Sequence, residues 1–211
     1  MSTTTSTTRR APLQERSQET VARALAAATA LLGRGVPLES LTTAQIAHEA
    51  GMSVGGLYRF FPDKQAIVDA IALRHMEAFQ ERMGAALIAD FPETPRDFLN
   101  SIVDEFVAYL DENPDFRTLA FGAAGGTRHI SRPTRDDYAG SQVEEMVMDF
   151  LSGAFEIEPS PEFAFRLRLA TEIGDRLLAF SYEQADDHAR FKVVGEMKGV
   201  LGAYLFPDPV S

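Results

Sequence analysis

Apolar residues recur at three- and four-residue intervals along almost the whole chain, the period of an amphipathic helix, and glycine or proline interrupts the pattern where helices must end. No segment shows a convincing strand pattern. The first apolar stripe, Val21, Leu25, Ala28 and Leu32, predicts a helix over residues 17–32 that Gly33 and Gly35 terminate. Two short helices and a long one follow between residues 42 and 90, and Pro92 and Pro95 mark a break. Further helices are predicted over residues 95–112, 114–121, 134–154, 160–184 and 187–205, giving an all-α chain of about nine helices. Residues 122–135 are rich in Gly, Thr and Arg and read as a loop. A phosphate-binding loop at Gly125 and Gly126 would need a preceding strand and a following Gly-Lys-Ser/Thr, and neither is present.

Composition adds that a sizeable core can be buried, since 45% of the 211 residues are hydrophobic and 24% are charged. That length sits at the upper end for one core, so two unequal domains are expected, over residues 16–75 and 76–211. The longest charge-free runs, residues 24–33 and 118–127, are about half the roughly 20 residues of a membrane span, so none is expected. Residues 1–15 open with a Ser/Thr tract, lack the apolar segment of a secretory signal, and read as a disordered arm. The absence of cysteine rules out disulfides and thiolate metal sites and suits the cytoplasm.

A net charge of -11 argues at first against a nucleic-acid partner, because phosphates are met by basic side chains. Its distribution changes that inference. Residues 1–75 hold eight Lys/Arg and six Asp/Glu, a net of +2, which leaves -13 for the remainder. An acidic body with a mildly basic head would meet DNA head first.

The head also carries the informative motif. Thr42, Thr43, Ala44 and Gln45 have the residue types of a capping box, with the Thr42 hydroxyl capping a helix and Gln45 reaching back. Ile46, Ala47 and Ala50 fall on its buried face, and Gly51 stands where a left-handed residue would turn the chain. Ser53 can then cap a second short helix from Val54 to Phe60, completing a helix-turn-helix. Within it, Gly55 and Gly56 each weaken a helix by about 1 kcal/mol relative to alanine. Either the backbone lies close to DNA there, or another helix packs tightly against it. Leu57 reads as the buried anchor, leaving Tyr58 and Arg59 exposed for phosphates or base edges. After Pro62, Asp63 caps the next helix, and Lys64 in its first turn opposes the helix dipole unless it shares a phosphate with the backbone amides.

Residues 41–71, LTTAQIAHEAGMSVGGLYRFFPDKQAIVDAI, resemble the DNA-binding domain of the tetracycline-repressor family, and the likeness extends back through the first helix. The match in spacing and residue type is continuous. It implies a phosphate contact at Thr43, puts the family's recognition-helix tyrosine at Tyr58 and its first-turn lysine at Lys64, and puts base-reading positions at Ala44, Val54 and Gly55. None of those three side chains can make a bidentate base contact, which leaves reading to Tyr58, Arg59 and DNA shape. Phe60 takes a position that often holds histidine. The resemblance further implies a homodimer on a palindromic operator in double-stranded DNA. It also implies a small-molecule effector held by the later helices, and a fourth helix that transmits effector binding to the DNA-binding heads.

For the effector, aromatic residues at inward positions of the second domain are the candidates: Phe79, Phe98, Phe106, Tyr109, Phe116, Phe121 and Phe150. They favour an apolar or aromatic ligand. For the dimer, a small-residue line in the last helix, Gly195, Gly199 and Gly202, faces another in the preceding helix, Ala170, Gly174 and Ser181, flanked by Leu177. The alternative is that both lines pack within one protomer. The histidines, His48, His75, His129 and His188, have no metal-ligand spacing and read as surface or loop residues. Paired carboxylates such as Asp136-Asp137, Glu144-Glu145 and Asp186-Asp187 read as solvated charge. With no GxSxG and no thiol, no catalytic residue, metal site or cofactor is expected. A repressor released by a small effector is the leading expectation; a DNA-bound adaptor that docks a protein on its acidic domain is the alternative.

Overall fold

Side-chain caps at Thr42, Ser53, Asp63, Thr94, Ser160 and Asp186 set the starts of six helices. A computed structural model describes residues 10–121 and 139–207. Among these residues, nine α-helices and one 3-10 turn occur, in the order α1 (Arg10–Gly33), the 3-10 turn (Leu38–Ser40), α2 (Thr43–Glu49), α3 (Val54–Tyr58) and α4 (Lys64–Ala89), then α5 (Pro95–Glu112), α6 (Pro114–Phe121), α7 (Ala139–Phe155), α8 (Pro161–Tyr182) and α9 (Asp187–Leu205). α1 begins at Arg10, so residues 10–15, expected in a disordered arm, are helical. Their one breaker, Pro12, lies in the first turn, where its missing N–H is tolerated. The loop expected at 122–135, its Gly125-Gly126 pair, and the expected start of a helix at 134 lie outside the described residues. The 3-10 turn had no sequence signal. No described helix is long and apolar enough to cross a membrane.

The chain divides between Arg74 and His75 into two units. In the first, Ala24, Leu25 and Ala28 of α1 are buried with Ile46 and Ala47 of α2, Leu57 of α3, and Ile67, Val68 and Ile71 at the start of α4. Each fully buried Leu, Ile or Val among them contributes about 1.5–3 kcal/mol. That stabilisation offsets the poor intrinsic helicity of two very short helices, which could not persist alone.

In the second unit, α8 and α9 form the most extensive helix pair. Leu167, Ala170, Gly174, Leu178 and Ser181 give α8 a buried face, and Val194, Met197, Leu201 and Leu205 give α9 another. Serine and aspartate caps start both helices: Ser160 Oγ accepts from Phe163 N at 3.1 Å, and Asp186 Oδ1 from Ala189 N at 2.8 Å. At the other end of α9, Arg96 Nη2 donates to the Phe206 carbonyl at 2.8 Å and the Arg166 guanidinium donates to the Tyr204 carbonyl. Cations at this end also suit the helix dipole.

Candidate functional site

The capping box expected at Thr42 is present in full: Thr42 Oγ1 accepts from Gln45 N at 3.2 Å, and Thr42 N donates to Gln45 Oε1 at 2.8 Å. Just past the Ala50 C-cap of α2 stands Gly51, whose φ of 63° lies in the left-handed region. Gly51 N donates to the His48 carbonyl and Met52 N to the Ala47 carbonyl, a paired closure that satisfies the end of the helix and turns the chain. Ser53 Oγ then accepts from Gly56 N at 3.0 Å and starts α3. Leu57 is fully buried, so α3 is anchored on one face and open on the other. Asp63 caps α4 as expected, accepting from Ala66 N at 2.8 Å.

On the open side the structure brings together hydroxyls that lie fifteen positions apart: Thr43 Oγ1 and Tyr58 Oη are 3.2 Å from each other. Tyr58 is half exposed, and Ala44, Ser53, Val54, Gly55 and Arg59 are exposed beside it. The two readings of the glycine pair separate here. A Cβ at Gly55 would meet nothing within 4 Å, and one at Gly56 would meet only the Ser53 cap hydroxyl at 3.1 Å, so no other helix packs against either. Lys64 has a partner that sequence reasoning missed. Its Nζ donates to the Leu38 carbonyl at 2.8 Å, in the 3-10 turn. A backbone acceptor in an unpredicted turn leaves no trace in residue types. An ammonium has three donors, so two stay available to a phosphate.

The aromatic set proposed for an effector does not converge. Phe79, Phe106, Tyr109 and Phe116 pack edge to face with centroids 5.0–6.4 Å apart. Phe98 stacks on Phe150 at 4.1 Å in a second group. Phe121 lies apart, stacked near Tyr182 at 6.4 Å. Rings at helical spacing on several helices satisfy one another, and the first two groups have the contacts of a core. His75, expected at the surface, is part of the first group because it lies one turn before Phe79 on the inner face of α4. Its Nδ1 is 2.9 Å from Tyr109 Oη, its Nε2 is 3.4 Å from Asp115 Oδ2, and its ring stacks on Phe116 at 4.6 Å. The hydrogen bond from His75 holds the Asp115 carboxyl below its ordinary value, against the opposing effect of burial. His48 and His188 are exposed, as expected, while His129 and the Asp136-Asp137 pair lie outside the described residues. Glu144 is half-buried rather than solvated, and desolvation raises its carboxyl.

The small-residue lines on α8 and α9 also divide. Ala170, Gly174, Ser181 and Gly202 are buried within the protomer; a Cβ at Gly174 would stand 3.5 Å from Leu201 and one at Gly202 3.3 Å from Arg96. Helical period explains this: residues 170, 174 and 181 share the face that α8 turns to α9. Gly195 and Gly199 are instead exposed, with nothing within 4 Å of a Cβ. Beside them Ile173, Phe180, Phe191 and Val200 are exposed. Leu177, Phe180, Val193, Met197 and Val200 line an apolar groove of about 310 Å³.

A capped two-helix motif with its hydroxyl-bearing face open, attached to a larger helical unit, defines a helix-turn-helix DNA-binding protein. Residues 24–71 match the family model of the bacterial regulatory proteins of the tetR family, and residues 93–208 match that of the tetracyclin repressor-like C-terminal domain. The chain belongs to the tetR family and is a DNA-binding transcriptional regulator. Among solved structures, a TetR-family transcriptional regulator from Streptomyces coelicolor is similar at 27% identity and a TM-score of 0.69, over 88% of this chain and 97% of that one. A TetR transcriptional regulator from Rhodococcus sp. RHA1 shares the fold at 17% identity and a TM-score of 0.59, over 93% and 99% of the two chains. The TetR family repressor AlkX from Dietzia does so at 19% and 0.51, over 86% and 93%. No curated protein matches the sequence.

Proposed function

We propose that the protein is a homodimeric repressor that sits on a palindromic operator and leaves it when a small molecule binds the second unit. The observation that carries the DNA part is the open face of α2 and α3, where the Thr43 and Tyr58 hydroxyls meet at 3.2 Å and a Cβ at Gly55 would meet nothing. Hydroxyls so placed, with Lys64 pinned nearby in sequence at the head of α4, suit phosphates on either side of a groove. Ala44, Val54 and Gly55 offer shape rather than bidentate hydrogen bonds, so Arg59 is the side chain best equipped to read a base edge.

A single five-residue recognition helix reads few base pairs, and a two-fold dimer doubles the site and fixes half-site spacing. The exposed apolar residues of α8 and α9, with Gly195 and Gly199 also open on α9, support dimerisation there through a four-helix contact. α4 carries Lys64 in its first turn and continues into the second unit, so one helix links the DNA contact to the effector-binding helices. An effector releases DNA only if it binds the DNA-free form more tightly. The test is selection from a random duplex library. Enrichment of an inverted repeat is expected; enrichment of an isolated half-site, or of nothing, overturns the dimeric operator reading.

A further inference from the structure

The start of α3 offers a base edge hydrocarbon and bare backbone. From Ser53 to Arg59, Leu57 is fully buried, Gly56 is partly covered, and Ser53, Val54, Gly55, Tyr58 and Arg59 are exposed. The hydroxyls at the two ends of this helix already have partners: Ser53 Oγ accepts from Gly56 N at 3.0 Å, and Tyr58 Oη lies 3.2 Å from Thr43 Oγ1. Glutamine is a residue type that pairs bidentately with adenine, but Gln45 on α2 has its Oε1 in the capping box. That oxygen accepts from Thr42 N at 2.8 Å and from Thr42 Oγ1 at 2.9 Å. Beside these engaged groups stand the isopropyl group of Val54, 41% exposed, and Gly55, which has no side chain.

Gly55 has no explanation inside the protein. Glycine weakens a helix relative to alanine, yet the φ of Gly55 is not positive and a Cβ there would meet nothing within 4 Å. A recognition helix meets base edges with its first residues. In the major groove the one hydrocarbon group that the four bases display is the C5 methyl of thymine. Contact with Val54 would remove both apolar surfaces from water. The missing Cβ at residue 55 would let the backbone of α3 come nearer to the base pair that Val54 meets.

We propose that Val54 reads one thymine in each operator half-site through its methyl group, with Gly55 as the position that permits the close approach. This deepens the operator reading above and rests on α3 being the helix that enters the groove. At that base pair discrimination is by hydrocarbon alone. The methyl should count equally on thymine and on 5-methylcytosine, whose hydrogen-bonding edges differ, and uracil should be disfavoured although it keeps every hydrogen-bonding group of thymine.

The duplex enriched from the random library is remade with thymine, uracil, cytosine or 5-methylcytosine at each thymine position of both half-sites in turn, always opposite the matching purine. Affinity for the full chain is measured by fluorescence anisotropy. At one position, thymine over uracil and 5-methylcytosine over cytosine should each gain about fourfold per half-site, the effect of burying one methyl group. In Val54→Ala both gains should vanish. Gly55→Ala, with a melting temperature at or above wild type, should lose affinity for the thymine duplex by a similar factor. Equal binding of thymine and uracil at every position, or a uracil penalty that Val54→Ala retains, overturns the methyl contact and leaves the regulator standing. A gain for thymine with none for 5-methylcytosine overturns it as well, because the hydrogen-bonding edge is then what is read. Wild-type affinity in Gly55→Ala overturns the role given to Gly55. A library from which no duplex is enriched overturns the DNA-binding reading and this inference with it.

Discussion

Thr43 and Tyr58 bring two hydroxyls together and Lys64 holds the Leu38 carbonyl, so each of the three has an internal partner as well as a proposed phosphate. Lys64→Ala should weaken binding to all duplexes alike and lower the salt slope of log K by about 1, since one phosphate contact and its counterion are lost. An unchanged slope would leave Lys64 as only a tie to the 3-10 turn. Tyr58→Phe removes one hydroxyl and frees Thr43, so its effect and that of Thr43→Ala should be less than additive in a double-mutant cycle. In the second unit, the lowered carboxyl of Asp115 gives a pH signature. A depressed folded-state pKa stabilises above the ordinary carboxylate value of 3.8 and that stabilisation is lost as pH falls through the folded pKa. His75→Gln should therefore lower stability in urea at pH 5.5 and approach wild type as the pH is taken below 3.8. A constant difference across that range would show that packing on Phe116, not the contact with Asp115, is what the histidine supplies.

At the scale of the element, the helix-turn-helix depends on a few positions because its two helices are too short to stand alone. Gly51 holds φ at 63°, where an L side chain costs roughly 1–2 kcal/mol. Gly51→Ala should lower the stability of the first unit by about that much and weaken DNA binding through misplacement of α3. Leu57→Ala should be worse, about 2–5 kcal/mol, because the side chain is wholly buried and the short helix has no other anchor. Thermal melts of the two variants would rank them, and a milder loss for Leu57→Ala would mean that α3 collapses onto the cavity.

For the whole molecule, the decisive contrast is between two glycines on α9. Gly199 is open, so Gly199→Leu should fold as a protomer and fail to dimerise, with operator affinity falling far below wild type. Gly202 lies against Arg96, so a bulky residue there should instead disturb the protomer by displacing a side chain that caps the end of α9. Sedimentation separates the outcomes. An intact dimer for folded Gly199→Leu would remove this face of α8 and α9 from the interface.

The sequence alone determined what is local. Helix order follows from apolar period, and Thr42, Gln45, Ser53 and Asp63 fix helix starts because a cap acts over three or four residues and is readable as residue types. The open positions of α3 were legible for the same reason, since Leu57 alone among them demands burial. Tertiary structure decided everything that depends on which face of one helix meets which face of another. It put Ala170, Gly174 and Ser181 inside the protomer while leaving Gly195 and Gly199 outside, and it closed most of the aromatic set into core packing. It also joined Lys64 to a carbonyl 26 residues away and Arg190 to a carboxylate 79 residues away. Period and propensity record that a side chain must be buried or paired; its partner is set only when distant segments pack, because burial energy is non-directional and the same stripe can satisfy it against its own chain or a second copy.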